Sequence, residues 1–473
     1  MKRVAVIGAG ISGLACALRL EERAKDRAEL DVSVFDAAPR AGGSIRTENR
    51  DGFLLERGPD SFIFEKPWAL DLCRTLGIED RVLNTEGGNR KIFVVKKNRL
   101  VALPEGFYLI APTRMTSFLA SPLLSVAGKI RMASEVFVPR RLSEDDESVG
   151  SFIRRRFGAE ALARVGQPMI AGIYSGDPER LSLSSTMSKF MELERRHGSV
   201  IRGLMKKTGG NAVPRNVSGP RYGFFLSFDG GMETLTRAAA SRLTKNALRL
   251  GSRVRIARGE EGRWAVSDGS GPARSFDAVC LTVGAAQAAR LVRDVDPALA
   301  DRMGELRFES VATLNLAYRR RQISHPLDSF GFVVPAVEKK SLTACTFSSL
   351  KYRGRAPEGH VLLRAFIGGA FGNEFFAMDD GDLIRAVTGD LKELLGIAGE
   401  PLFASLARHA EALPQYAVGH KRWAADVEER LKRHRNLFLT GASYRGTGIT
   451  HCIHDARLEA DRMYEHLMNG ATA

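Results

Sequence analysis

The spacing of apolar positions changes several times along this 473-residue chain, and each change marks a structural element. Residues 3–7, RVAVI, are a short apolar run of the kind that forms a strand buried on both faces. After a glycine-rich turn the period lengthens, and Leu14, Ala17, Leu18 and Ala24 fall on one side of an amphipathic helix. DVSVFDA (31–37) is the next strand, so strand, helix and strand predict a βαβ unit opening a doubly wound sheet. From about 67 to 200 the pattern is mostly helical, basic and broken by short turns. Strand patterns return over 221–284 in YGFFLSFDGG, SRVRIA, RWAVSD and FDAVCLTVG, and 307–405 is a strand-rich, mixed stretch. Finally 436–463 reads as strand, glycine-rich loop and helix. In that helix Ile453, Ala456, Ala460, Met463 and Leu467 form one apolar face, with Thr450 as the expected N-cap.

These elements predict an α/β chain (α+β overall). A Rossmann-like domain is expected from the discontinuous segments 1–85, 205–290 and 405–473. A helical insert is expected at 86–204 and a mixed-sheet, substrate-binding domain at 291–404. Within the insert, 106–141 mixes Phe107, Tyr108, Leu109, Leu123 and Leu124 with Arg114, Lys129, Arg131, Arg140 and Arg141. That composition suits a helix lying on a membrane interface, and equally suits helices packed against their own domain. No run approaches the roughly 20 apolar residues that span a bilayer.

Composition narrows the picture. With 44% hydrophobic and 26% charged residues the chain is an ordinary folded protein. Its five cysteines are scattered, which argues against a disulfide framework and for a reducing, cytoplasmic setting. The net charge of +15 has three candidate partners: nucleic acid, an anionic membrane or an acidic small molecule. The basic residues are dispersed and no nucleic-acid motif accompanies them, so nucleic acid is not expected. The start, MKRVAVIGAGISG, is basic then apolar like a signal peptide, but the run breaks at glycines and no cleavage site follows.

Those glycines carry the first chemistry. Gly8-Ala9-Gly10-Ile11-Ser12-Gly13 is GxGxxG set between a strand and a helix. The first glycine makes the turn, the second admits a diphosphate, and the third lets helix and sheet pack closely. Asp36 ends the second strand, where an acid accepts the adenosine ribose hydroxyls. The bland alternative is a tight glycine turn without a ligand. RAGGSIRT (40–47) adds a second glycine pair beside Arg40 and Arg46, which favours FAD over NAD; its alternative is a hairpin with a Gly-Gly turn. Near the C-terminus, THCIHDA places His451, His454 and Asp455 at helical spacings that could converge on an ion. The preferred reading is a helix start aimed at a ligand, with no metal. No Ser-His-Asp, HExxH or paired-carboxylate pattern is found, so no side chain is assigned as catalytic.

VAVIGAGISGL, RAGGSIRT, GFLLERGPDSF, AGIYSGDPERLS, LSFDGGMETL and GASYRGTGITHCI occur in the order seen in the oxygen-dependent protoporphyrinogen and coproporphyrinogen oxidases. The chain resembles that family, within the flavin amine oxidase superfamily, over essentially its whole length. The resemblance implies FAD, with Asp36 and Ala37 at the adenosine and Gly42, Gly43 and Ser44 near the diphosphate and ribityl. Gly58, Pro59, Asp60 and Ser61 would border the flavin, and Val254, in the strand SRVRI, would pair its backbone with adenine. Thr447, Gly448 and Ile449 would follow the flavin's pyrimidine edge. Phe330, Gly331 and Val333 match positions that sandwich the tetrapyrrole, Phe366 takes the opposite wall, and 171–176, including Gly172, lines the same cavity. Arg90 matches a propionate-binding arginine at a spacing that differs by a couple of residues, the favoured alternative being a surface arginine.

Two positions depart from the family pattern. His409 stands where a tryptophan is usual, yet is assigned to the cofactor. His451 replaces an aspartate before the cysteine. The implied reaction is six-electron oxidation of a porphyrinogen in haem biosynthesis, with protons leaving the pyrrole nitrogens. A single GxGxxG points to O2 rather than NADPH as redox partner, a quinone being the alternative acceptor. Protoporphyrinogen is favoured slightly over coproporphyrinogen. The expected protein is a monomer or homodimer, cytoplasmic or at the inner face of the membrane. Two rival readings stay open. One is a superfamily oxidase or desaturase of amines or carotenoids, disfavoured by only 8 tyrosines and 3 tryptophans for an aromatic cage. The other is a non-enzymatic flavin-fold binding protein.

Overall fold

The strand Lys2–Ile7 buries its last four residues, as expected of an apolar run inside a parallel sheet. It pairs in parallel with Leu30–Phe35 on one side and Ala278–Leu281 on the other. Leu248–Arg249 and Leu437–Leu439 complete a five-stranded parallel sheet at its two edges. The computed structural model describes residues 1–24, 30–86, 91–208 and 225–469. Strand order reverses at Lys2–Ile7, and the crevice beyond the strand ends there is where doubly wound sheets bind ligands.

The helices Ile11–Ala24, Trp68–Leu76, Glu233–Arg242 and Ile449–Asn469 cover one face of this sheet. Leu14, Ala17, Leu18 and Ala24 are buried as their spacing predicts, as are Ile453, Ala456, Ala460, Met463 and Leu467. Thr450 does not cap its helix. It lies inside it, and its hydroxyl donates to the carbonyl of Ile63 at 3.0 Å. The other face carries a small antiparallel sheet (Arg255–Arg258, Trp264–Ser267, Arg274–Phe276) and the helices Ala285–Val292, Pro297–Gly304 and His420–Leu431.

A second, seven-stranded sheet runs in the order Phe403–Pro414, Phe308–Arg319, His360–Gly368, Ala344–Phe347, Gly331–Val333, Phe93–Lys96 and Arg99–Ala102. It is antiparallel except where Gly331–Val333 meets Phe93–Lys96. The segment given to a helical insert from residue 86 thus begins with two strands, and the boundary at 405 falls inside Phe403–Pro414. Phe93–Lys96 and Arg99–Ala102 form a two-residue hairpin on Lys97 and Asn98, both at positive φ. Lys-Asn is a weaker hairpin signal than Asn-Gly, so the basic composition masked it.

Helices follow from Met115–Ala120 to Val200–Thr208 around a core that includes Phe118, Phe152, Phe157 and Phe190. A buried ion cluster ties them together. Arg156 Nε donates to Glu135 at 2.7 Å and its Nη1 to Glu194 at 3.3 Å. Glu135 also accepts the amides of Val200 and Ile201. A π-helical turn, Leu162–Gly166, leads into the helix Gln167–Tyr174. Among the described residues no helix is long and apolar enough to cross a membrane.

Candidate active site

Gly8 turns the chain out of the first strand at a φ of +113°, a conformation that favours glycine. Gly13 admits no side chain, because a Cβ there would stand 1.8 Å from the Gly8 carbonyl oxygen. Gly10 is the opposite case: a Cβ would meet nothing within 4 Å. The second glycine therefore faces open space. Ile11 and Ser12 begin the helix, whose unpaired N–H groups suit an anion. Thr282, which nothing in the sequence singled out, holds the turn with its hydroxyl 2.9 Å from the carbonyls of both Ile7 and Gly8.

The Asp36 carboxylate accepts the amides of Ala9 at 2.6 Å and Ala38 at 2.8 Å, with Ala37 exposed between them. Gly251 and Ser252 donate to the carbonyls of Ala38 and Asp36, laying the segment that ends in Val254 alongside. Val254 precedes the strand Arg255–Arg258 rather than lying in it. The second glycine pair folds onto the first. Gly42 donates to the Ala9 carbonyl, and a Cβ on Gly43 would be 3.2 Å from Gly10 Cα. Arg40 holds this loop through the carbonyls of Ala41, Gly43 and Ile45, so the segment is a wrapped turn and not a hairpin.

Gly58, Pro59, Asp60 and Ser61 continue the same surface. A Cβ on Gly58 would lie 1.8 Å from the Ser44 carbonyl oxygen, so the two segments touch. The seven-stranded sheet grips this stretch from behind. Asn315 donates to the Glu56 carbonyl at 3.1 Å, Thr313 to the Arg57 carbonyl at 3.3 Å, and Arg364 to the Gly58 carbonyl. Lys351 Nζ is 3.0 Å from Asp60 and 3.4 Å from the Ser61 hydroxyl. Burial alone would raise the Asp60 carboxyl, but the charges of Lys351 and Arg364 and the Ser61 hydrogen bond hold it below the usual carboxylate range. None of Lys351, Arg355 and Arg364 had a sequence signal, since their partners lie hundreds of residues away. His409 points its Nε2 at the Arg57 carbonyl, 2.6 Å away. It shares a cavity of about 360 Å³ with Gly43, Ser44, Arg46 and Arg57.

Thr447, Gly448 and Ile449 bring the last helix to this place. Gly448 has room around it, its Cβ position being 3.8 Å from His451 Nδ1. The bond from Thr450 to Ile63 fastens the helix start beside Ser61. The histidines and aspartate of THCIHDA diverge. His454 stacks on Trp68 at 3.6 Å, His451 meets the same ring edge-on, and Asp455 binds Thr440 and Arg445. Among the described residues no group of three or more His, Cys, Asp or Glu is placed to hold a metal.

The described residues assigned to the tetrapyrrole lie on or beside one helix and two strands of the seven-stranded sheet. Gly172, on Gln167–Tyr174, faces Val333, its Cβ position 3.8 Å from the Val333 side chain. Gly331 must be glycine, because a Cβ would be 2.0 Å from the Cys345 carbonyl oxygen at a φ of +141°. Phe330 precedes it, accepting the Phe347 amide at 2.9 Å. Phe366 stands two strands across, with the Arg364 guanidinium 4.7 Å from its ring centre. Arg90 lies outside the described residues.

The model of the family described as flavin containing amine oxidoreductase matches residues 11–464. The coproporphyrinogen III oxidase of Bacillus subtilis is 33% identical over 96% of both chains. The mitochondrial protoporphyrinogen oxidase of Nicotiana tabacum is 28% identical over all of this chain and 96% of its own. A crystal structure from Exiguobacterium sp. 255-15, provisionally named a protoporphyrinogen oxidase, superposes with a TM-score of 0.86 at 29% identity, covering 98% of each chain. The cradle fits the FAD of such proteins: Gly10 leaves room for a diphosphate, the Ile11–Ala24 helix supplies donors, and Asp36 presents acceptors beside Val254. The chain is a member of the flavin containing amine oxidoreductase family, a mixed α/β oxidoreductase that carries FAD.

Proposed function

We propose that this protein oxidises a porphyrinogen to the porphyrin, coproporphyrinogen III being the favoured substrate, with O2 as acceptor. The observation that carries the proposal is full-length similarity to three coproporphyrinogen III oxidases at 30–33% identity, against 26–29% for five protoporphyrinogen oxidases. Its +15 charge also suits the substrate with more carboxylates. That reverses the slight preference for protoporphyrinogen drawn from sequence.

The bound flavin supplies hydride acceptance, three times per porphyrin formed. The chain's task is placement. In this reading Gly8–Gly13, Asp36, Ala37, Gly42–Ser44 and Val254 hold the adenosine and diphosphate. Gly58–Ser61, His409 and Thr447–Ile449 border the ring system. Gly172, Phe330, Gly331, Val333 and Phe366 line an apolar site for the puckered macrocycle. The five-stranded sheet with its helices acts as the cofactor body, and the seven-stranded sheet, which includes Phe93–Ala102 and Phe403–Pro414, as the substrate sheet. Purified yellow protein should turn colourless coproporphyrinogen fluorescent, at least tenfold more efficiently than protoporphyrinogen. No fluorescence from either substrate would refute the activity, and the reverse preference would refute the substrate.

The helical segment is proposed to rest on an anionic membrane surface at the cytoplasmic side. Val126, Ile130, Phe137 and Leu142 are 66–83% exposed, an apolar set on one stretch of chain with Lys129, Arg140 and Arg141 around it. In flotation with anionic liposomes at low salt the protein should rise with the lipid, and Phe137→Ser with Ile130→Ser should leave it in the soluble fraction. Wild-type protein that stays unbound would sink this assignment.

A further inference from the structure

The segment 56–61 has more positive than negative charge buried behind it. Lys351, Arg355 and Arg364 are 9%, 2% and 2% exposed, and the carboxylates facing them are Glu56 and Asp60. Lys351 is 3.0 Å from Asp60 and Arg364 is 3.8 Å from it, while Arg355 is 3.9 Å from Glu56. Three cations thus share two anions. Burial raises the Glu56 carboxyl against the pull of the Met232 amide and Arg355. The neighbouring Arg57 and Asp229 do not alter the balance, Arg57 being paired with Glu48 at 3.3 Å and Asp229, which also acts on Arg355, with Arg81 at 2.8 Å. Arg364 Nε and Arg355 Nη1 are buried with no hydrogen-bond partner among the described residues. A charged N–H left unpaired in the interior is costly, and a built-in cation excess of this kind is stabilised by any negative charge that arrives on the other side of the segment.

We infer that Lys351 and Arg364, acting across Gly58–Ser61, set how readily the bound flavin accepts electrons. The inference rests on the reading that this segment borders the flavin. Reduction by two electrons and one proton adds one negative charge to the ring system. A fixed positive surplus next to it favours that state over the neutral oxidised one. Arg364 and Lys351 are then more than a clamp: they also tune the cofactor's potential. A purely structural clamp and a charge effect separate by sign. Removing a cation must disfavour the reduced form, and removing the facing anion must favour it.

The test uses full-length, FAD-loaded protein and reads the midpoint potential by equilibration with reference dyes. Arg364→Gln and Lys351→Met should each shift the oxidised-to-reduced equilibrium at least tenfold towards oxidised, about 30 mV more negative for a two-electron couple. Asp60→Asn should shift it by a similar factor the other way. Affinity of the oxidised flavin for sulfite, whose adduct also carries negative charge, should fall tenfold in the first two and rise in the third. Lys351→Arg should restore the wild-type values. If Arg364→Gln fails to retain flavin, the opposed pair Lys351→Met and Asp60→Asn decides. Potentials that stay unchanged, or that move in one direction in all the variants, overturn the inference. Wild-type protein that binds FAD but ignores porphyrinogens would refute the proposed substrate and leave this test standing.

Discussion

A Gly10→Val protein is expected to fold, stay soluble and come off a column colourless. The residue stands where the chain turns from the first strand into the helix Ile11–Ala24, and its backbone conformation is one that other residues adopt. A Cβ there meets nothing of the protein within 4 Å, so the turn itself does not exclude a side chain. The space it would enter is the one the glycine turn keeps open over the helix N-terminus, where a diphosphate lies in such motifs. Flavin content should drop from stoichiometric to none by absorbance of the purified protein. Gly13→Ala is the counter-case, since its Cβ would fall 1.8 Å from a backbone oxygen and the fold itself must shift. A soluble Gly10→Val protein retaining one FAD per chain would place the diphosphate elsewhere.

Arg156→Met is expected to cost about 3–5 kcal/mol of stability, the usual loss when one member of a buried ion pair is removed. Arg156 and Glu135 are both wholly buried. Without the guanidinium, Glu135 keeps its amide donors from Val200 and Ile201 but faces no cation in the interior. Glu194 is better placed, because Arg155 still reaches it at 2.6 Å. The damage should therefore concentrate where Glu135 joins the helix Val200–Thr208. Hydrogen exchange should report faster opening of 134–138 and 199–204 while bound flavin is retained. The double variant Arg156→Met with Glu135→Gln should recover part of the loss, because the orphaned charge goes too. A single variant as stable as the parent would mean that water reaches the pair.

Elements whose pattern is local were legible in the sequence. The opening βαβ unit, the glycine turn with Asp36, and the buried face of Ile449–Asn469 all declare themselves within a dozen residues or so. Long-range pairings were not. Glu56 and Asp60 gave no hint that Lys351, Arg355 and Arg364 close on them from the other sheet, because nothing local in the sequence encodes which distant cation answers a buried acid. Thr282 was silent for the same reason. Thr450 has the right residue type for an N-cap, but a tertiary partner, the Ile63 carbonyl, claimed its hydroxyl. The 93–102 hairpin was hidden by its charge. Of the residues carried over by resemblance, Gly58 touches Ser44, and Arg364 links Gly58 to Phe366.

The five-stranded sheet imposes an order of events on biosynthesis. Its first strand is made at residues 2–7 and its last at 437–439, and the helix that covers it beside Ile11–Ala24 follows still later. At about 5–20 residues per second, the opening βαβ unit waits roughly 20–90 s on the ribosome before its edge strand and lid exist. During that interval Leu14, Ala17 and Leu18 lack the partners that later bury them, and Ala278–Leu281 has a bare flank. The cofactor's cradle is thus finished last although it is begun first. A nascent chain stalled ahead of residue 437 presents an apolar, unpaired surface that invites chaperones rather than flavin.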